Sequence, residues 1–253
     1  MRSFSKFGIV MAMLLVSLFV GCSTDPEKPK HKKVDWNENS TIACIGTSLT
    51  EGYGAGGDGI IDRDRSYPHF FSEKVRIGVR NFGVSSITAV EMAEVITSGN
   101  FDADLLLAAV IIIELGANDL FEQADNFPNI DMGFVAKVEK AFDDILDHIK
   151  SLGTNPQIYL AKFYNDDVAR YILLPYNAMF IHSQYENMYS RLKSRHKVEI
   201  INDIWKGIWG NDNLMSDDKI HIKIHPNAEG YKIMADNIFN SMKGFLEFNG
   251  LVK

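Results

Sequence analysis

Three short motifs in this chain, two of them beside apolar runs, carry side chains able to do chemistry where strand ends would place them. The first, Gly46-Thr47-Ser48-Leu49-Thr50, comes after Thr41 to Ile45. A serine hydroxyl at such a strand-to-helix turn is exposed at the sheet edge, within reach of a base and of backbone amides that could face a developing anion. The second, Asn81-Phe82-Gly83-Val84-Ser85, contains a glycine whose missing side chain lets a backbone amide approach a ligand closely. The third, Glu114-Leu115-Gly116-Ala117-Asn118-Asp119, follows the most apolar run of the chain, and the Asn118 side-chain amide is a donor suited to an oxyanion. Together they offer parts of a nucleophilic acyl transfer. Taken singly, each also has a reading as a structural turn.

A base would have to come from the segment Asp217 to Tyr231, which holds His221 and His225. If the segment is extended, the two lie on one side but about 13 Å apart, at about 3.3 Å per residue, whereas a base must sit within about 3 Å of its proton. Only one can serve. His225 is preferred, because Pro226 pushes the residue before it out of the helical region and fixes it at the mouth of a following helix. His221 is the alternative. With His225 as base, Asp218 reaches it only if residues 219 to 224 bulge or fold back.

The two histidines are four apart, as in a zinc site, but the zinc protease pattern needs Glu after the first of them and Ile222 stands there. No metal is therefore expected, and an acyl transfer by serine and histidine needs no cofactor. His31, His69, His148, His182 and His196 are scattered among polar or helical residues and read as surface or satisfied core histidines.

These motifs need elements to position them. Short apolar runs at Thr41 to Ile45, Leu105 to Leu115, Gln157 to Ala161 and Val198 to Ile201 predict strands. Between them, Phe134 to Lys150 carries Val135, Val138, Phe142, Ile145, Leu146 and Ile149 on one stripe with charges opposite, which predicts a helix. Further helices are expected over Tyr176 to Ser194 and from Pro226 to about Leu246, with Pro in its first turn and Asn249-Gly250 as a stop. Strands and helices alternating in this way predict an α/β fold, a parallel sheet with helices on both faces. Ligands of such sheets bind outside the carboxyl ends of the strands, where the three motifs lie.

The composition is that of a globular domain: 46% hydrophobic and 23% charged residues in 253, enough to bury one core. A net charge of -7 argues against a nucleic-acid binder, since neutralising phosphates takes a clustered basic face, and no nucleic-acid partner is expected. Arg2 and Lys6 precede the apolar run Phe7 to Val20, and Gly21-Cys22 follows. That is the build of a secretory signal, too short for a comfortable membrane span.

The Phe19-Val20-Gly21-Cys22 end resembles a bacterial lipobox, which implies lipidation at Cys22 and a membrane-anchored location in the cell envelope. Ser23 after the cysteine implies the outer membrane. Residues 1–22 are then a lipoprotein signal peptide, 23–38 a Pro- and Lys-containing flexible tether, and 39–253 the folded domain. Cys44, the one other cysteine, lies in an apolar run and reads as a core residue, so no disulfide forms within the chain.

Read together, the motifs resemble those of the SGNH (GDSL-like) hydrolases. The segment Gly46 to Gly54 resembles the family's first block, whose serine is the nucleophile, with Thr47 where Asp is usual. The Gly83 and Asn118 motifs resemble its second and third blocks. The family's last block is Asp-x-x-His, usually followed by Pro and a nearby Gly-Tyr. Asp218 and His221 have that spacing, while His225 has the Pro226 and Gly230-Tyr231 context, as though four residues were inserted.

The resemblance implies a three-layer α/β/α, flavodoxin-like domain. It also implies an esterase, lysophospholipase or thioesterase-like activity on a small-molecule ester such as an acyl lipid or acylated glycan. Ser48 is the implied nucleophile, with Gly83 and Asn118 in the oxyanion hole and Asp218 and a histidine completing the site. An α/β-hydrolase elbow is disfavoured, because it needs Gly at position 50 and Thr stands there. Two other readings stay open: a catalytically impaired surface lipoprotein that binds glycan or lipid, and an acyltransferase using the same site.

Overall fold

A parallel strand covered by helices on both faces has no polar side to show, so its residues are apolar throughout. β1 (Thr41–Gly46), β3 (Ala108–Glu114) and β4 (Gln157–Ala161) are of this kind, and every residue in them is buried. With β2 (Gly78–Gly83) and β5 (Glu199–Ile201) at the edges, they form an all-parallel sheet in the order β2-β1-β3-β4-β5. The structure is a computed structural model, and it describes residues 31–125, 131, 133–164, 175–216 and 223–253.

The preference for right-handed crossovers sorts the helices between the two faces. The β1 to β2 connection runs one way across the sheet and carries α1 (Ser48–Glu51) and α2 (Tyr67–Ser72). The connections β2 to β3, β3 to β4 and β4 to β5 all run the other way. They carry α3 (Ala89–Thr97), α4 (Asp102–Leu105), α5 (Ala117–Asp125), α6 (Phe134–Ser151) and α7 (Pro175–His196). Packing follows this division: α3 lies on α6 and α6 on α7, whereas α2 lies on α8 (Ala228–Phe248). The result is the three-layer α/β/α arrangement expected from the alternation. The connections change direction between β1 and β3, which places a crevice at the carboxyl ends of these two strands.

The predicted stripe of α6 is buried as expected, from Val135 through Ile149. Cys44 is a core residue with no exposure, and burial pushes its thiol up to about 12. Boundaries differ in three places for identifiable reasons. Leu105 ends the short helix α4 and Leu106 and Leu107 turn outward, so β3 starts at Ala108; an apolar run alone does not separate helix from strand. The last helix begins at Ala228, because the Asn227 side chain accepts the Gly230 N–H and takes the N-cap, leaving Pro226 outside. Lys32 to Trp36, assigned by composition to the tether, pack on the domain: the compact unit is Lys32–Lys253, Val34 is buried, and Trp36 Nε1 donates to the Asn249 carbonyl.

Candidate active site

Because all five described strands are parallel, their carboxyl ends share one edge, and Ser48, Gly83 and Asn118 lie at it, with His225 on the serine. β1 ends at Gly46, Thr47 caps α1 by accepting the Leu49 N–H on its own hydroxyl, and Ser48 is the first helical residue. The Ser48 amide is one of the first-turn donors that a helix leaves without an internal acceptor. Ser48 Oγ lies 2.9 Å from His225 Nε2.

His225 is held from both sides. Its carbonyl accepts the Ser216 N–H at 2.9 Å, and next to it Pro226 bridges Met215 and the Asn227 N–H donates to the Leu214 carbonyl. The Tyr53 ring packs 4.5 Å from the imidazole, centroid to centroid, and is itself fixed by the Tyr231 hydroxyl, which donates to the Tyr53 carbonyl. Between these, Gly54 at φ 84° runs so close to Ser216 and Pro226 that a β-carbon would lie 2.8 Å from the Ser216 Cβ. Residues 214–216 and 225–227 are thus neighbours. His225 is placed on the serine; His221 and Asp218 lie outside the described residues.

The strand ends beside β1 complete the surroundings. Asn118, in the first turn of α5, donates from Nδ2 to the Ile87 carbonyl at 2.7 Å, tying the turn after β3 to the turn after β2. Asp119 accepts the Ala89 N–H at the start of α3, and burial pushes its carboxyl above the usual range.

The expectation that Gly83 offers a free amide is not met. Its N–H donates to Asn81 Oδ1 at 2.9 Å and its carbonyl accepts from Arg63. Glycine is needed there for packing instead, since a β-carbon would come within 2.6 Å of the Glu51 Cα. Three residues further on, Ser86 adopts φ 64°, a left-handed conformation that costs a non-glycine residue about 1–3 kcal/mol and tends to collect at functional sites. Its N–H has no acceptor among the described residues.

Two carboxylates that sequence reasoning did not assign hold these turns. Glu51, on α1, accepts both the Ser85 amide and hydroxyl and pairs with Arg63. Burial opposes its ionisation, but the Ser85 bonds and the Arg63 guanidinium outweigh it and hold the carboxyl below its ordinary value. Glu114, the last residue of β3, is buried under the Ser48 turn and accepts from Thr47 and Thr50. Its signal in the sequence is a lone acid closing an all-apolar run.

The chain matches the GDSL-like lipase/acylhydrolase family over residues 44–233. It is 21% identical over 251 residues to the uncharacterized protein YpmR of Bacillus subtilis (strain 168), with 96% of each chain covered. Among solved structures it is similar to TesA (TM-score 0.60, 16% identity, 82% of this chain and 100% of that one). It is similar too to the lipase Lip_vut3 from a goat rumen metagenome (0.61, 18%, 80% and 97%) and to AlinE4, an SGNH-hydrolase family esterase (0.55, 19%, 85% and 98%). The structural likeness carries the fold, and the family match spans the serine turn, the Asn118 turn and His225 alike. A strand-end serine in hydrogen-bond contact with a histidine is therefore met here within the GDSL-like lipase/acylhydrolase family, to which this chain belongs.

Proposed function

We propose that the chain hydrolyses carboxylic esters or thioesters through an acyl-enzyme on Ser48, and the 2.9 Å contact between Ser48 Oγ and His225 Nε2 carries this reading. His225 takes the hydroxyl proton as Oγ attacks the carbonyl carbon, then returns it to the departing alcohol or thiol. Water, deprotonated by the same histidine, releases the acid.

Asp218 is the proposed orienting acid. This reading is supported by its place in the sequence, two residues after Ser216, whose N–H is bonded to the His225 carbonyl. The oxyanion falls to the Ser48 amide and to the second Nδ2 hydrogen of Asn118, the first being given to Ile87. With the Gly83 N–H engaged by Asn81, the Ser86 amide is the donor at that strand end assigned to share in the hole. Asn118→Ala is expected to lower kcat by about a hundredfold to a thousandfold, with the fold intact by circular dichroism.

Acyl lipids or acylated glycans are the proposed substrates. Relatives named as a lipase and as a carbohydrate acetylesterase family member support that range. Export and attachment through a lipidated Cys22 to the cell envelope, in the outer membrane, are part of the same proposal. They are supported by the Phe7 to Val20 run and the Gly21-Cys22 that follows it.

The deciding experiment is hydrolysis of p-nitrophenyl acetate, butyrate and octanoate, with fluorophosphonate labelling, by residues 23–253 and their Ser48→Ala variant. Turnover and labelling in the parent, both lost in the variant, are expected. Equal inertness of the two on every ester and on the probe sinks the hydrolase reading in favour of a binding protein. Product analysis with an added alcohol or sugar acceptor separates hydrolysis from acyl transfer.

A further inference from the structure

We propose that Glu114 is a positioning residue of this site, gripping from the end of β3 the turn that presents Ser48 to His225. Its part in catalysis rests on the hydrolase reading above. Gly46 and Glu114 are partners in the β1–β3 register, which sets the carboxyl directly beside the serine turn. Three donors converge on one of its oxygens, Oε2: the Thr47 N–H at 3.2 Å, the Thr47 hydroxyl at 2.8 Å and the Thr50 hydroxyl at 3.3 Å. All three belong to the segment 47–50 that contains Ser48. The side chain is fully buried, where an idle carboxyl costs several kcal/mol, and every hydrogen bond that repays the cost is made to the nucleophile's own turn.

The other oxygen, Oε1, is buried with no hydrogen-bond partner among the described residues. A proton on Glu114 therefore sits on Oε1 and leaves Oε2 accepting, while ionisation makes the three bonds charge-assisted, roughly twice as strong. The titratable groups facing it are Tyr67 of α2, Tyr189 of α7 and Tyr231 of α8, with Cys44 of β1 beyond Tyr67. Burial raises all four, so they are neutral, and among the described residues no cation faces the carboxyl. Burial likewise pushes Glu114 up to about 7 against the pull of the Thr47 and Thr50 bonds. The grip is thus tight above neutrality and relaxed below it.

Glu114→Gln, which keeps the shape, tests this. Expected for p-nitrophenyl butyrate are a kcat lower by about tenfold to a hundredfold with little change in KM, and an acid limb of the pH profile that has lost one ionisation while keeping that of the histidine. In nuclear magnetic resonance, the Thr47 amide proton is expected to move with pH around a midpoint near 7 in wild type and in Ser48→Ala, and to stay still in Glu114→Gln. An unchanged kcat and acid limb in a folded Glu114→Gln protein overturns the proposal. So does a Thr47 amide that is flat with pH in wild type or titrates equally in the variant. A wild type inert on every ester removes the hydrolase reading, while the amide titration still decides whether Glu114 is the anchor.

Discussion

Replacing His225 with alanine is expected to lower kcat/KM on a p-nitrophenyl ester by a factor on the order of 10⁴ or more, while replacing His221 leaves it near wild type. The size follows from what His225 does at 2.9 Å from the serine hydroxyl: without it the hydroxyl has no acceptor for its proton and is a poor nucleophile. The difference between the two histidines follows from how His225 is fixed. Its carbonyl bond to Ser216, the bridge between Met215 and Pro226, and the Tyr53 ring against its face leave it one place to sit. Steady-state kinetics of both variants, with thermal melting to check folding, decide the matter. Equal losses from the two changes, or a loss confined to His221→Ala, would give the base to the other histidine.

The second large effect is on stability. Gly83→Ala is expected to cost more than about 4 kcal/mol, lowering Tm by on the order of 10 °C in a domain of this size. The added methyl would sit 2.6 Å from both the Thr50 carbonyl carbon and the Glu51 Cα, closer still to the Glu51 nitrogen, and all of these are backbone atoms that no rotamer change can move. Gly153→Ala is the control: a β-carbon there meets nothing within 4 Å, and only the positive φ of 75° opposes it, at about 1–2 kcal/mol. Melting curves followed by circular dichroism should separate the two clearly. Similar curves would mean that β2 can shift away from α1.

Much of this molecule is readable in its residues because parallel strands and two-sided burial leave few choices. The apolar runs of β1 and β4 and the stripe of α6 fall where periodicity puts them. The edge strand β2 does not announce itself, since its residues, Arg80 and Asn81 among them, are mostly half-buried or exposed and mimic a loop. Ser48, Asn118 and His225 are candidates by type and context, because chemistry limits what can stand at a strand end and at a helix mouth. The two carboxylates near them, Glu51 and Glu114, are not. Their partners lie 34 residues away at Ser85 and 67 residues away at Thr47, and only the strand order β2-β1-β3 brings those pairs together. Gly83 was recognised as necessary for a different reason from the one the packing gives it.

The bond from the Ser216 N–H to the His225 carbonyl ties off residues 217–224 at their root. A stretch closed in this way grows at little cost, since each doubling of its length adds only about 0.6 kcal/mol of closure entropy. Evolution can therefore lengthen or shorten the chain here while the imidazole stays in register with the serine. The interruption seen along the sequence is then no interruption of the contact, since Ser48 still meets His225 at 2.9 Å and the bond that fixes the histidine is made outside the inserted stretch.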